Sequence, residues 1–400
     1  MKSSFAIIND IIKGSSLVFR SKYKWMLLFF LLWVFRVSCI PADASGFAKG
    51  LQIVTTFGLL YYAIRIGKNS ISSGLFKTNG PNVTMTWYLI LALVSTTWSY
   101  VPMMTFFMAL EKLTYMIVLY AVFTKFNTFQ NAERMFVFLM VGMIVFNGIA
   151  TRVMGYQQFI GHDLQQGSCA AMCFSYCIGE YLAKKTHNKE RYEMFKGAIL
   201  ISIFFLVIST SGGANASAVF GFCVALLVCG KVSWGLLLLL MSVIFLIFTE
   251  LREDIFKFIM AGKSEGEIRT STGRTSIWKI VEELGKQKPL LGWGHAAMER
   301  YITDKGYMPL TDLHNNFYGA YGSLGYIGLS LLIIHHATSV LFSFFRKMKP
   351  GYTGLLCAIC CGTLNGYSYG YLSGKTAIIT VVYLAVIMMT FIYSRVQFIK

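Results

Sequence analysis

The sequence predicts an all-α, polytopic membrane protein, a helix bundle of about twelve transmembrane helices with a long helical loop between helices 9 and 10. Three observations predict it. Apolar residues make up 56% of the 400 positions and charged residues 14%, where a soluble chain carries roughly a quarter charged. Apolar runs of roughly 17 to 25 residues recur, each long enough to cross the hydrocarbon layer as a helix. Basic residues concentrate in alternate connectors, as the positive-inside pattern requires.

The spans read, in order, 25–41, 47–66, 83–100, 103–123, 134–151, 164–183, 196–210, 214–230, 233–249, 315–343, 353–371 and 374–394. Twenty-one Lys and Arg residues fall on one side. They run from Lys2 through Arg65, Lys125, the Lys184–Lys196 group and Arg346–Lys349 to Lys400. The opposite short connectors carry only Lys49, Arg152 and Lys375. Both termini are therefore expected in the cytoplasm, which demands an even number of spans. The net charge of +18 is accounted for by this sorting. Without a basic stretch interleaved with surface aromatics, no nucleic-acid partner is expected.

Residues 1–400 are read as a single integral membrane domain, with 250–314 as its one long outer loop. The loop carries ten basic and ten acidic residues, the balance of a water-facing segment. Within it Ile277, Trp278, Ile280, Val281 and Leu284 keep helical spacing, and Gly285 and Pro289 end that helix. A second short helix is expected near 295–303. The cysteines sit mostly inside apolar runs, Cys169, Cys173 and Cys177 on one helix face, and read as small packed thiols. No metal pattern appears, and no cofactor is expected.

Chemistry-bearing residues gather in the loop and the helix after it. They are Gly273-Arg274, Trp278, Pro289-Leu-Leu-Gly-Trp-Gly294, His314-Asn315-Asn316-Phe317 and Gly325-Tyr-Ile-Gly328-Leu329. In this order and spacing they resemble the bacterial O-antigen ligase and O-antigen polymerase superfamily, over about residues 205–345. The resemblance implies a C-type, all-helical membrane glycosyltransferase in the bacterial inner membrane. It would use a glycan carried on undecaprenyl pyrophosphate, with membrane lipid and a polysaccharide chain-length regulator as further partners. It makes Arg274 the contact to the pyrophosphate leaving group and His314 the base or orienting group for the acceptor hydroxyl, the two catalytic residues.

The residues support those roles separately. Arg274 stands at a helix start, where the dipole disfavours a cation unless an anion also docks. His314, at the start of a span beside Asp312, is an imidazole able to accept a hydroxyl proton near neutral pH. Pairing of Arg274 with Glu265 or Glu267, and a capping role for His314, are the plainer alternatives. One departure is visible: the family's second arginine, at the start of the eighth span, is absent from Ser209-Thr-Ser-Gly-Gly-Ala-Asn-Ala-Ser217. Ser211 and Asn215 are the candidate donors there, and Arg36 and Arg152 the candidate replacement cations. With Asn315 and Asn316 they complete the expected substrate-binding set. Glu111 and Lys112 inside the fourth span are expected either to pair between helices or to line the acceptor route. A structural role is expected for His335 and His336. Gly319, Gly322, Gly325 and Gly328 spiral round the tenth span and predict close helix packing or a groove for a lipid chain. The expected function is polymerisation of lipid-linked repeat units at the periplasmic face. Ligation of finished glycan to lipid A core is the alternative, and a lipid-linked oligosaccharide flippase the third.

Overall fold

A computed structural model describes residues 24–39, 46–74, 80–154, 163–184, 188–231, 233–234, 274–310 and 312–395. Among them the regular elements are all helical. They are α1 (Lys24–Cys39), α2 (Gly46–Gly74), α3 (Pro81–Val94), α4 (Pro102–Phe123), α5 (Phe129–Val153), α6 (Leu164–Ala183), α7 (Lys189–Ser209), α8 (Gly212–Val228), α9 (Arg274–Gly285), α10 (Met298–Asp304), α11 (Asn316–Phe345), α12 (Tyr352–Asn365) and α13 (Ile378–Arg395). All but the first two residues of the span expected at 233–249, the loop up to Gly273 and the basic residues ahead of α1 lie outside the described residues.

Six of these helices, α2, α4, α5, α7, α11 and α13, are long and apolar enough to cross a membrane, and α1, α8 and α12 are shorter apolar helices. Local sequence sets their starts. Proline opens α3 and α4, where its missing N–H costs nothing. Thr128, Asp163 and Asn188 cap α5, α6 and α7 through side-chain oxygens. Every residue from Ile378 to Tyr393 is buried, so α13 is the apolar pole around which the other helices stand. At one end Arg191 of α7 pairs with Glu133 of α5 and, at 2.6 Å, with Glu180 of α6. Glu180 also accepts the Gly351 and Gly354 N–H groups ahead of and within α12. A buried arginine is tolerable only with such full pairing.

The opposite end is irregular. The expected span 353–371 stops at Asn365, and residues 366–377 leave the helix while Tyr371, Leu372 and Ser373 stay buried. The loop packs a small core of its own, in which Ile277, Val281 and Leu284 of α9 meet Trp293, Met298, Ile302, Leu313 and Tyr321.

The glycine spiral of α11 serves packing, each residue meeting a different partner. A side chain at Gly319 would strike Ser373, and one at Gly322 would strike Met298 and Val281. Gly325 interrupts the helix with φ 64° and ψ −161°. The break is filled by residues 289–294: Tyr326 and Ile327 donate N–H to the Pro289 and Leu290 carbonyls (2.7 and 3.3 Å), and Trp293 and Gly294 donate to Gly322 and Ser323 (3.1 and 2.8 Å). Backbone groups freed in apolar surroundings must find such partners. Only glycine fits at 325, since a Cβ would stand 2.3 Å from the Leu290 carbonyl carbon and the φ/ψ region is nearly closed to other residues.

Gly325→Ala is therefore expected to destabilise the protein by at least about 1–3 kcal/mol. Gly197→Ala, at an exposed helical site with nothing within 4 Å, should be neutral or mildly stabilising. Thermal unfolding of the two purified variants in detergent checks this; equal melting temperatures would refute the role given to the break.

Candidate functional site

The irregular end collects the strained and the ionisable residues. Thr210, Ala296 and His314 all adopt positive φ (45°, 55° and 54°), a conformation that costs a non-glycine residue free energy and tends to mark functional positions. His314 is held in it by Asp312, whose Oδ1 accepts the His314 N–H at 3.0 Å while Oδ2 lies 3.6 Å from Nδ1. Asn315 then caps α11 by accepting from the Phe317 and Tyr318 N–H groups at 2.8 and 3.0 Å.

Arg274 is the first residue of α9 and half-buried. Its charge acts on His314, and Asp312 acts on both. Burial lowers the His314 pKa below that of a free imidazole. Asp312 opposes that shift, and the positive charge of Arg274 adds to it. Burial wins, leaving a neutral imidazole at neutral pH with 30% of its side chain still open. Asp312 and His314 are thus in contact, and Arg274 lies within electrostatic reach of both.

Behind this group is a layer of which the sequence reading singles out Lys112 but not His295 or Glu299. Lys112 of α4 is fully buried; its ammonium donates to the Gly374 carbonyl and lies 3.1 Å from His295 Nε2. His295, buried and beside that cation, is held well below the usual imidazole range, first by burial and then by Lys112. Glu299 of α10 is 7% exposed and its Oε2 has no hydrogen-bond partner. The point a Cβ would occupy on Gly374 lies 3.5 Å from Asp312 Oδ1 and 3.6 Å from Glu299 Oε1. Lys112, Glu299 and Asp312 therefore converge on one glycine. The sequence signal was the run Gly366-Tyr-Ser-Tyr-Gly-Tyr-Leu-Ser-Gly374, whose glycines and serine break a helix.

The remaining candidates divide. Arg36 donates to Gln52 at 2.8 Å, and Gln52 to Glu111 at 3.0 Å, with Trp33 on the second carboxylate oxygen at 3.1 Å. Arg36 and Glu111 are thus joined in an interhelical network. Arg152 donates to its own helix at Gly148 and faces Asp163 electrostatically. Ser211 starts α8 with its hydroxyl buried and unpartnered, and the Asn215 N–H donates to the Ser211 carbonyl. Arg152, Asp163 and Ser209–Ser211 make a second polar group, since the Asp163 N–H donates to Ser209 at 3.0 Å. Tyr369 lies in electrostatic reach of both Asp163 and Asp312, so residues 366–377 separate the two groups. Asn315 spends its amide on the Tyr367 carbonyl at 3.0 Å. Asn316 accepts from Leu372, and its Nδ2 is buried without a partner. His335 and His336 share the Tyr383 hydroxyl in a buried cluster far along α11, consistent with a structural role.

Burial raises the Glu299 pKa to about 7 against the pull of Lys112 and Lys375. The folded protein thus prefers the neutral acid. The resulting stabilisation is complete below the unfolded value and lost as pH rises through about 7, on the order of 3 kcal/mol. Glu299→Gln should abolish that component. Melting temperatures at pH 5 and 8 check it, and an undiminished pH-dependent fall in the variant would refute it.

No curated protein matches the chain. A family model does: residues 197–333 match the family described as O-antigen ligase. The stretch runs from α7 into α11 and contains Ser211, Asn215, Arg274, His314, Asn315 and Asn316. The chain is thus helical throughout its regular elements among the described residues, and residues 197–333 are similar to the family described as O-antigen ligase.

Proposed function

We propose that the protein is a glycosyltransferase of the periplasmic face of the inner membrane, polymerising repeat units carried on undecaprenyl pyrophosphate. One observation carries this reading: Arg274 opens α9 within electrostatic reach of the Asp312–His314 pair that precedes α11, all inside the stretch that matches the family. The acceptor hydroxyl oxygen bonds to the anomeric carbon while the bond from that carbon to the phosphate oxygen breaks. His314 takes the hydroxyl proton, and the pyrophosphate leaves against Arg274 and the first N–H groups of α9. Asp312 orients His314 and offsets the imidazolium that forms.

Ser211 and Asn215 are the donors assigned to the substrate on the far side of residues 366–377, and Asn316 the donor beside the His314 stretch. The absence of an arginine from Ser209–Ser217 favours polymerase over ligase, whereas the description of the matched family favours ligase. Arg36 and Arg152 are assigned to the substrate only through the networks that hold them.

Arg274→Ala and His314→Ala in the native host should remove at least about 99% of transfer, the usual order for a lost base or charge clamp. The surface glycans on a gel read the outcome. A lipid A core bearing one repeat unit means polymerase. Bare core with carrier-linked polymer means ligase, and precursors stranded in the inner leaflet mean flippase. Normal ladders at normal protein level would refute the site. Activity should also fall on the acid side with a midpoint below about 6.5, and Asp312→Asn should move that midpoint lower still, because the residue that raises the His314 pKa is gone. A midpoint moved upward in that variant would contradict the role of Asp312.

A further inference from the structure

Three aromatic rings are fixed to the short stretch that carries His314. Trp278 Nε1 donates to the Leu313 carbonyl at 3.1 Å. Asn315 Oδ1 accepts the Tyr318 N–H at 3.0 Å, and Asn315 Nδ2 donates to the Tyr367 carbonyl at 3.0 Å. The rings meet one another: Trp278 stacks on Tyr318 at 5.1 Å with 9° between planes, and Tyr367 stands edge-on to Trp278 at 5.6 Å. Trp278 and Tyr318 stand near the starts of their helices. Trp278 follows Arg274 by four residues on α9, and Tyr318 follows His314 by four at the start of α11.

The shelf is open where a core would be closed. Tyr367 is 54% exposed, and Trp278 and Tyr318 are only half-buried. Its rim is polar, since the Tyr318 hydroxyl donates to Glu282 Oε1 at 2.8 Å and both Glu282 and Lys279 are exposed. Exposed ring surface with a carboxylate acceptor and an ammonium donor at its edge suits a pyranose, which has a C–H face and a belt of hydroxyls. An acyl chain fits it poorly, because a carboxylate beside hydrocarbon is costly.

We infer that Trp278, Tyr318 and Tyr367 form a carbohydrate subsite that seats the acceptor sugar ring next to the hydroxyl His314 deprotonates. The inference rests on the glycosyltransferase reading of the neighbouring cluster and adds where the acceptor ring binds. Tyr367 dominates the accessible surface. Its side chain can be removed with little structural effect, whereas Trp278 and Tyr318 also hold the loop.

The test uses the full chain purified in detergent and the lipid-free oligosaccharide released by mild acid from the host's own surface polysaccharide. Wild type should bind it saturably with a change in tryptophan emission, and Trp278→Phe should lose that change. Tyr367→Ala should bind roughly tenfold more weakly and Tyr367→Phe close to wild type, the scale of one aromatic contact. Wild-type affinity in Tyr367→Ala overturns the inference, as does no binding by the unmodified protein. Reconstitution with brominated acyl chains overturns it too if they quench the Trp278 emission, for the shelf would then face the bilayer. Shelf-dependent binding with fully active Arg274→Ala and His314→Ala variants would sink the assignment of the reacting pair alone. Inactive variants with shelf-independent binding would sink only the subsite.

Discussion

The architecture of the irregular end depends on one exchange of backbone hydrogen bonds, between the broken helix at Gly325 and the turn at 289–294. A helix interrupted in apolar surroundings leaves N–H and C=O groups that water cannot reach. Here the Pro289 and Leu290 carbonyls take the donors at 326 and 327, and the carbonyls of Gly322 and Ser323 take those at 293 and 294. That pairing fixes the loop against α11 and carries His295 down to Lys112, and α10 with Glu299 to Gly374. The ionisable layer is a by-product of how the backbone is satisfied.

This gives the two glycine-containing motifs a shared reason to exist. Gly292 and Gly294 have positive φ and approach Ser323 and Ser99 too closely for any side chain, as Gly325 approaches Leu290. The glycines on both sides of the contact are needed for one close approach. The loop and the helix after it are therefore one unit, anchored by its small core of Val281, Trp293, Met298 and Tyr321.

Much of this was legible in the chain. Helical spacing around Ile277–Leu284 located α9, and the apolar runs located the helices of the bundle close to where they stand, because both signals follow from burial on one face or all round. The catalytic candidates Arg274 and His314 were readable as a cation and an imidazole at helix starts. Their meeting was not, since forty residues of loop separate them and distance in space is set by tertiary packing. The eleventh span was read too long because Tyr367, Tyr369 and Tyr371 are apolar enough to hide a departure from the helix. Glu299 and His295 gave no signal at all: each is a single ionisable residue in a polar loop, and what makes it unusual is burial. Asn315 looked like a substrate ligand and turns out to cap a helix and tie down Tyr367.

The interruption at Gly325 also divides α11 into two rods of unequal duty. The longer rod, from Tyr326 to Phe345, is mostly surface-facing along its flank, with Tyr326, Ile333, Ile334, Leu341 and Phe345 exposed. The shorter one is clasped by the loop and by residues 366–377. A spanning helix meets a thicker or thinner bilayer by tilting, and in an unbroken rod that tilt would swing its outer tip. Here the junction is bridged by the bonds from Tyr326 and Ile327 to Pro289 and Leu290, so the loop is tied to the longer rod as well as to the shorter one.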